Sequence, residues 1–150
     1  MKLVKAMTSY PNKVVIEEQG LRDGLQSEKT LVPTAKKLEL IDALADAGVR
    51  RIQVTSFVNP KLIPQMADAE ALCAGLKAQP GVIFSALVLN ARGLERAADA
   101  GLGHVSASIS ASDTHSRKNT NASLVEARRQ FTNMIKIGKA RGLTISGGLQ

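Results

Sequence analysis

The chain has 150 residues, 44% of them hydrophobic and 22% charged, with a formal net charge of +7. That length builds one domain around one core, a single cysteine excludes an internal disulfide and a multi-cysteine zinc site, and no apolar run approaches the roughly 18 residues of a membrane span. The cations are scattered in ones and twos, and aromatic residues are only 3%, without Trp, so a nucleic-acid binder with stacking platforms is not expected.

Residues 1 to 10 lack the apolar core of a signal peptide, which points to cytoplasmic residence. The β-branched run that follows predicts a first strand over Val14–Glu18. A helical pattern covers Thr34–Ala47, with Thr34 as expected N-cap and Gly48 at the C′ position. A second strand is predicted over Arg51–Thr55 and a helix over Gln65–Ala78, which carries Cys73 as a buried structural thiol. The strand Ile83–Val88 and the helix Ala91–Ala100 come next. A fourth strand, Val105–Ile109, has His104 at its start as a structural residue. A helix over Ala122–Ala140, capped by Asn121, leads to a last strand over Leu143–Ser146.

Strands alternating with helices at these connection lengths imply a parallel sheet with right-handed crossovers. No Gly-x-Gly-x-x-Gly follows a strand, so a Rossmann nucleotide site is not signalled. The alternative to an open sheet is a (β/α)₈ TIM barrel, which typically needs about 250 residues. About four and a half βα units are present. In a barrel the carboxyl ends of the strands share one face, which collects Arg22-Asp23, Thr55-Ser56-Phe57, Asn90 and Ser110-Ala111-Ser112 around one mouth.

The loop leaving the first strand, Glu17 to Lys29, is the chemically densest stretch. Arg22 offers a permanent cation with a planar fork of donors, and Asp23 a hard oxygen ligand or a proton acceptor. An Arg-Asp pair in a polar loop also reads as a simple surface ion pair. Glycines at 20 and 24 free the backbone on either side of the pair.

The run Gly20-Leu21-Arg22-Asp23-Gly24-Leu25-Gln26-Ser27-Glu28-Lys29 resembles the signature loop of 3-hydroxy-3-methylglutaryl-CoA lyases, members of the DRE-TIM metallolyase superfamily. Thr55-Ser56-Phe57-Val58-Asn59-Pro60-Lys61 followed by Pro64-Gln65-Met66-Ala67-Asp68 agrees, and Ser116-Arg117-Lys118-Asn119-Thr120-Asn121 is a weaker third match. The resemblance implies the amino-terminal half of a TIM-barrel lyase domain of the pyruvate carboxyltransferase-like type, over residues 1–150. It implies cleavage of 3-hydroxy-3-methylglutaryl-CoA, as in leucine degradation, or of an analogue such as citramalyl-CoA. The partners implied are an acyl-CoA thioester and, for the complete protein, a second copy in a homodimer; neither nucleic acid nor membrane is expected.

By the same resemblance, Arg22 stabilises the enolate oxygen and Asp23 holds a divalent cation, Mg²⁺ or Mn²⁺. Gln26, Lys29, Gln53, Ser56, Asn90 and His115 are expected at the substrate. Lys29 also reads as solvated, Ser56 as a strand-end cap and His115 as a loop residue after the fourth strand. The family's further ligands include a His-x-His pair and an asparagine; His104 and His115 are not spaced as that pair. Gln53 is a departure, since the family's pattern has glutamate there, and an amide keeps the shape but loses the charge and the proton-accepting role. The alternatives carried forward are an acyl-CoA condensing transferase of the same superfamily and an inert half-barrel fragment.

Overall fold

The computed structural model describes residues 10–150. Residues 1–9, the stretch read for a signal peptide, lie outside the described residues. Among the described residues, five parallel strands follow one another in the order β1-β2-β3-β4-β5: Glu17–Glu18, Arg51–Ser56, Ile83–Leu87, His104–Ile109 and Thr144–Leu149. Sequential parallel order with a helix after most strands is half of a (β/α)₈ barrel. The helices are α1 (Thr34–Asp46), α2 (Ala69–Ala74), α3 (Ala91–Asp99), α4 (Asp113–Thr120) and α5 (Leu124–Ala140).

The two faces of the sheet differ in chemistry because the strands alternate. Outward residues build the core against the helices. Ile52 and Val54 meet Leu21, Ile41, Ala45 and Leu72. Ala86, Val88, Val105 and Ala107 meet Leu94, Ala97 and Met134 in a second cluster, which also holds Cys73. Burial pushes the Cys73 thiol up to about 12, as expected of an inert structural cysteine. The opposite face is polar: Ser85 Oγ donates to Glu17 Oε1 at 3.0 Å, and Gln53 Nε2 donates to Ser106 Oγ at 3.1 Å.

Between β2 and β3 the register shifts between Gln53 and Thr55. Such a bulge resets the alternation. Thr55 is thereby sent to the helix side, where its hydroxyl meets the Met66 sulfur, and Ser56 returns to the polar face.

Five expectations are corrected. Only Glu17–Glu18 of the predicted first strand pairs with β2, and Val14, Val15 and Ile16 are more than 70% exposed; β propensity without a ladder partner does not make a strand. Thr34 is the first helical residue of α1 rather than its cap, and its hydroxyl donates to Asp68 Oδ2. The helix predicted over Gln65–Ala78 is a 3₁₀ turn at Pro64–Met66 followed by the short α2, which closes at Gly75. Helix α4 was not anticipated, because its run Asp-Thr-His-Ser-Arg-Lys-Asn-Thr has no apolar stripe to reveal a 3.6-residue period. Asn121 does not cap α5; it closes α4 in the left-handed conformation at φ 54°, and Ser123 caps α5 through the amide of Glu126.

Candidate active site

The loop after β1 opens with a π-helical turn at Gly20–Gly24. The carbonyl of Gln19 accepts the amides of Arg22, Asp23 and Gly24 at 3.1, 2.7 and 3.4 Å. Single π turns of this kind are frequent at functional sites. The turn buries Leu21 against α1 and holds the next two side chains at the carboxyl-end face of the sheet.

Arg22 is held there by three acceptors. Its Nε donates to Gln53 Oε1 at 2.5 Å, its Nη2 to Gln19 Oε1 at 2.7 Å and its Nη1 to Asp23 Oδ1 at 2.7 Å. The Arg22 side chain is 14% exposed and that of Asp23 69%. The guanidinium is therefore fixed at a partly desolvated position, where a preorganised cation can stabilise a developing oxyanion. Gln19 was missed as a site residue; a second amide next to the glycine-flanked Arg-Asp pair was the signal available.

Two further expected residues carry polar atoms that are buried without a partner, Gln26 Oε1 and Ser56 Oγ. Buried polar atoms are usually paired, with protein groups or with ordered water. Ser56 is fully buried at the end of β2, so the cap role considered for it is not made. Lys29 is exposed, and the adjacent Glu28 carbonyl accepts from Gln65 Nε2 at 2.6 Å. That bond joins the loop after β1 to the loop after β2. The junction is anchored by Lys37, 3% exposed, which donates to the Gln65 carbonyl at 2.8 Å and to Asp68 at 2.7 Å.

Asn90 caps α3, with Oδ1 accepting the Gly93 amide at 2.9 Å. It lines a cleft of about 690 Å³ together with Asn59, Lys61, Arg92 and Arg96. A Cβ at Gly93 would lie 2.5 Å from the Phe57 carbonyl oxygen, so only glycine lets α3 approach the end of β2 this closely. His115 is on α4, not in a loop, and its Nδ1 lies 2.6 Å from Ser110 Oγ at the end of β4. Thus Arg22, Asp23, Gln53 and Gln19 are joined directly, whereas Asn90 and His115 make local contacts on neighbouring strand ends.

Among the described residues no three His, Cys, Asp or Glu side chains gather as a metal-binding group. Asp23 is paired with Arg22 instead. The donor set present does not by itself fit a divalent cation.

The sequence model of the HMGL-like family matches residues 13–150. A mitochondrial hydroxymethylglutaryl-CoA lyase from Rattus norvegicus is 41% identical over 142 residues, 95% of this chain and 44% of that protein. A cytoplasmic 3-hydroxy-3-methylglutaryl-CoA lyase from Danio rerio is 42% identical, over 94% of this chain and 42% of its own length. Among solved structures, the HMG-CoA lyase from Brucella melitensis superposes with a TM-score of 0.84 at 43% identity, over 91% of this chain and 48% of that one. An HMG-CoA lyase from Acinetobacter baumannii, in complex with coenzyme A and 3-methylmalate, gives a TM-score of 0.85 at 34% identity, over 95% and 47% of the two chains. The chain spans about half the length of the curated relatives it matches.

Proposed function

The chain belongs to the HMGL-like family, and from that premise we propose that the complete protein is a carbon–carbon lyase of 3-hydroxyacyl-CoA thioesters. The substrate is 3-hydroxy-3-methylglutaryl-CoA or an analogue with its carboxylate on the carbinol carbon, such as citramalyl-CoA. The observation that carries this reading is the Arg22 guanidinium, held at the mouth by Gln53, Gln19 and Asp23.

In the proposed reaction a base takes up the 3-hydroxyl proton, and the Asp23 oxygen left free by Arg22 is the one that would hold the divalent cation. The electron pair of the O–H bond forms the new carbonyl, and the C2–C3 bond breaks. Its electrons become the enolate of the thioester. Arg22 stabilises the enolate oxygen, since a preorganised cation aimed at developing negative charge lowers the barrier. Protonation at C2 then releases acetyl-CoA with acetoacetate, or with pyruvate when the substrate is citramalyl-CoA. Gln26 and Ser56 supply the acceptor and the hydroxyl still unpaired at the site.

The reading includes a divalent cation for the complete protein, with Asp23 as one ligand and the others from beyond the described residues. It also includes cytoplasmic residence. No helix among the described residues is long and apolar enough to cross a membrane, and relatives of both cytoplasmic and mitochondrial kinds occur. The Acinetobacter baumannii complex favours the nearer-carboxylate substrates, because 3-methylmalate bears a carboxylate on its carbinol carbon. The test is to incubate the complete protein with each thioester and identify the keto product. Acetoacetate or pyruvate released in equal amount with acetyl-CoA supports the lyase, and condensation without cleavage favours the transferase.

A further inference from the structure

We propose that Ser106 and Gln53 form a relay that positions Arg22, with Ser106 as its far anchor on β4. Its activity readout rests on the lyase reading. The argument starts from an asymmetry in donors. A guanidinium Nε–H only donates, so the Gln53 atom 2.5 Å from it is the carbonyl oxygen. The amide then presents its NH₂ to Ser106, whose Oγ accepts at 3.1 Å across the intervening strand β3. Gln53 is 1% exposed, so bulk water offers neither end of the amide another partner. Arg22 therefore selects the amide orientation, and Ser106 supplies the acceptor that keeps the resulting buried NH₂ paired. Without its oxygen the NH₂ is a buried donor lacking an acceptor, and the flipped amide sets donor against donor at Arg22.

The relay also leaves Arg22 its charge. Gln53 and Gln19 hold the guanidinium through neutral oxygens. Its one carboxylate partner, Asp23, is 69% exposed and so screened by solvent. A carboxylate in place of Gln53 would fix the same geometry but neutralise the cation in a buried position. The amide–hydroxyl pair gives orientation without neutralisation, which suits a ligand that brings an anionic oxygen to Arg22.

The experiment uses the complete protein and four variants: Ser106→Ala, Ser106→Thr, Gln53→Glu, and Ser106→Ala combined with Gln53→Glu. Ser106→Ala is expected to lower kcat about tenfold with KM within about threefold, as for loss of orientation felt in the transition state. Ser106→Thr, which keeps the hydroxyl, is expected to restore turnover. In the Gln53→Glu background the alanine substitution should have little effect, because both carboxylate oxygens accept and neither orientation is wrong. An equal loss in both backgrounds, or none in either, overturns the relay.

A readout independent of activity is the Nε–H resonance of Arg22 in ¹⁵N-arginine-labelled protein, identified by its disappearance in Arg22→Lys. It should be protected from exchange in the wild type and in Ser106→Thr, and exchange faster in Ser106→Ala. Unchanged protection in Ser106→Ala contradicts the proposal. Absence of any thioester cleavage with protection changing as expected sinks the lyase reading and leaves the relay standing.

Discussion

Replacing Arg22 with lysine in the complete protein separates transition-state stabilisation from simple attraction. Lysine keeps the charge but has one nitrogen where arginine uses three. In the structure those three nitrogens reach Gln53, Asp23 and Gln19 at 2.5, 2.7 and 2.7 Å. A single ammonium cannot reproduce that spread, and the Asp23 carboxylate is its strongest attractor. It is then drawn toward the exposed side of the site, away from the enolate oxygen. Loss of one preorganised donor to an oxyanion costs on the order of 3 kcal/mol, or ~100-fold in rate. The expected result is a kcat lowered by about two orders of magnitude with KM changed less than about threefold. The buried Gln53 oxygen also loses its partner, which lowers stability by about 1–3 kcal/mol. Steady-state kinetics and a urea titration read the two effects separately. An unchanged kcat with a raised KM would show that Arg22 only attracts substrate, and the enolate role would be wrong.

Substituting Gln53→Glu should shift preference toward 3-hydroxy-3-methylglutaryl-CoA, because a carboxylate at ~4 Å disfavours a nearby substrate carboxylate by about 1–4 kcal/mol; identical kcat/KM ratios for the two thioesters before and after substitution would remove Gln53 from substrate choice. Lys37→Met should lower unfolding free energy by about 2–4 kcal/mol, since Asp68 and the Gln65 carbonyl lose a buried cation; a change under about 0.5 kcal/mol would mean the pair is not what joins α1 to the loop after β2. Three carboxyls sit below their ordinary range: Glu70 through its bond from Arg96, Asp113 through the Leu124 amide and Arg117, and Glu126, at about 2, through Arg129 and Gln130. Their folded values lie below their unfolded ones, so their stabilisation is present above about pH 4.5 and is lost as pH falls toward 2. Glu126→Gln should flatten that part of the stability–pH curve measured at low salt, and a curve of unchanged slope would count against the Glu126 share.

Much of this arrangement was legible in the sequence, for stated physical reasons. The strands β2 to β5 were found within a few residues because each is a short run preceded by a glycine turn, with buried β-branched residues marking β2 and β4. The Arg22-Asp23 loop was marked by its glycines and its concentration of charge. Two kinds of information were absent. Register across strands is not local, so nothing in the sequence tied Gln53 to Ser106, 53 positions away. Polar helices and edge strands are decided by capping and pairing rather than by periodicity. Ser112, whose hydroxyl accepts the His115 amide at 3.4 Å, starts α4 without an apolar stripe. Val14–Ile16 have the right residue types and no ladder. The pairing of His115 with Ser110 depends on that unpredicted helix.

The central claim is that the complete protein breaks the C2–C3 bond of a 3-hydroxyacyl-CoA with Arg22 at the enolate. The most direct test follows solvent deuterium into acetyl-CoA during turnover of citramalyl-CoA and of 3-hydroxy-3-methylglutaryl-CoA, in the presence of Mg²⁺ or Mn²⁺. The account predicts one deuterium at the acetyl methyl per bond broken, with keto product formed in equal amount, and both falling together by ~100-fold in Arg22→Lys. Keto product without deuterium in acetyl-CoA, or no cleavage of either thioester by the folded wild type, would contradict it.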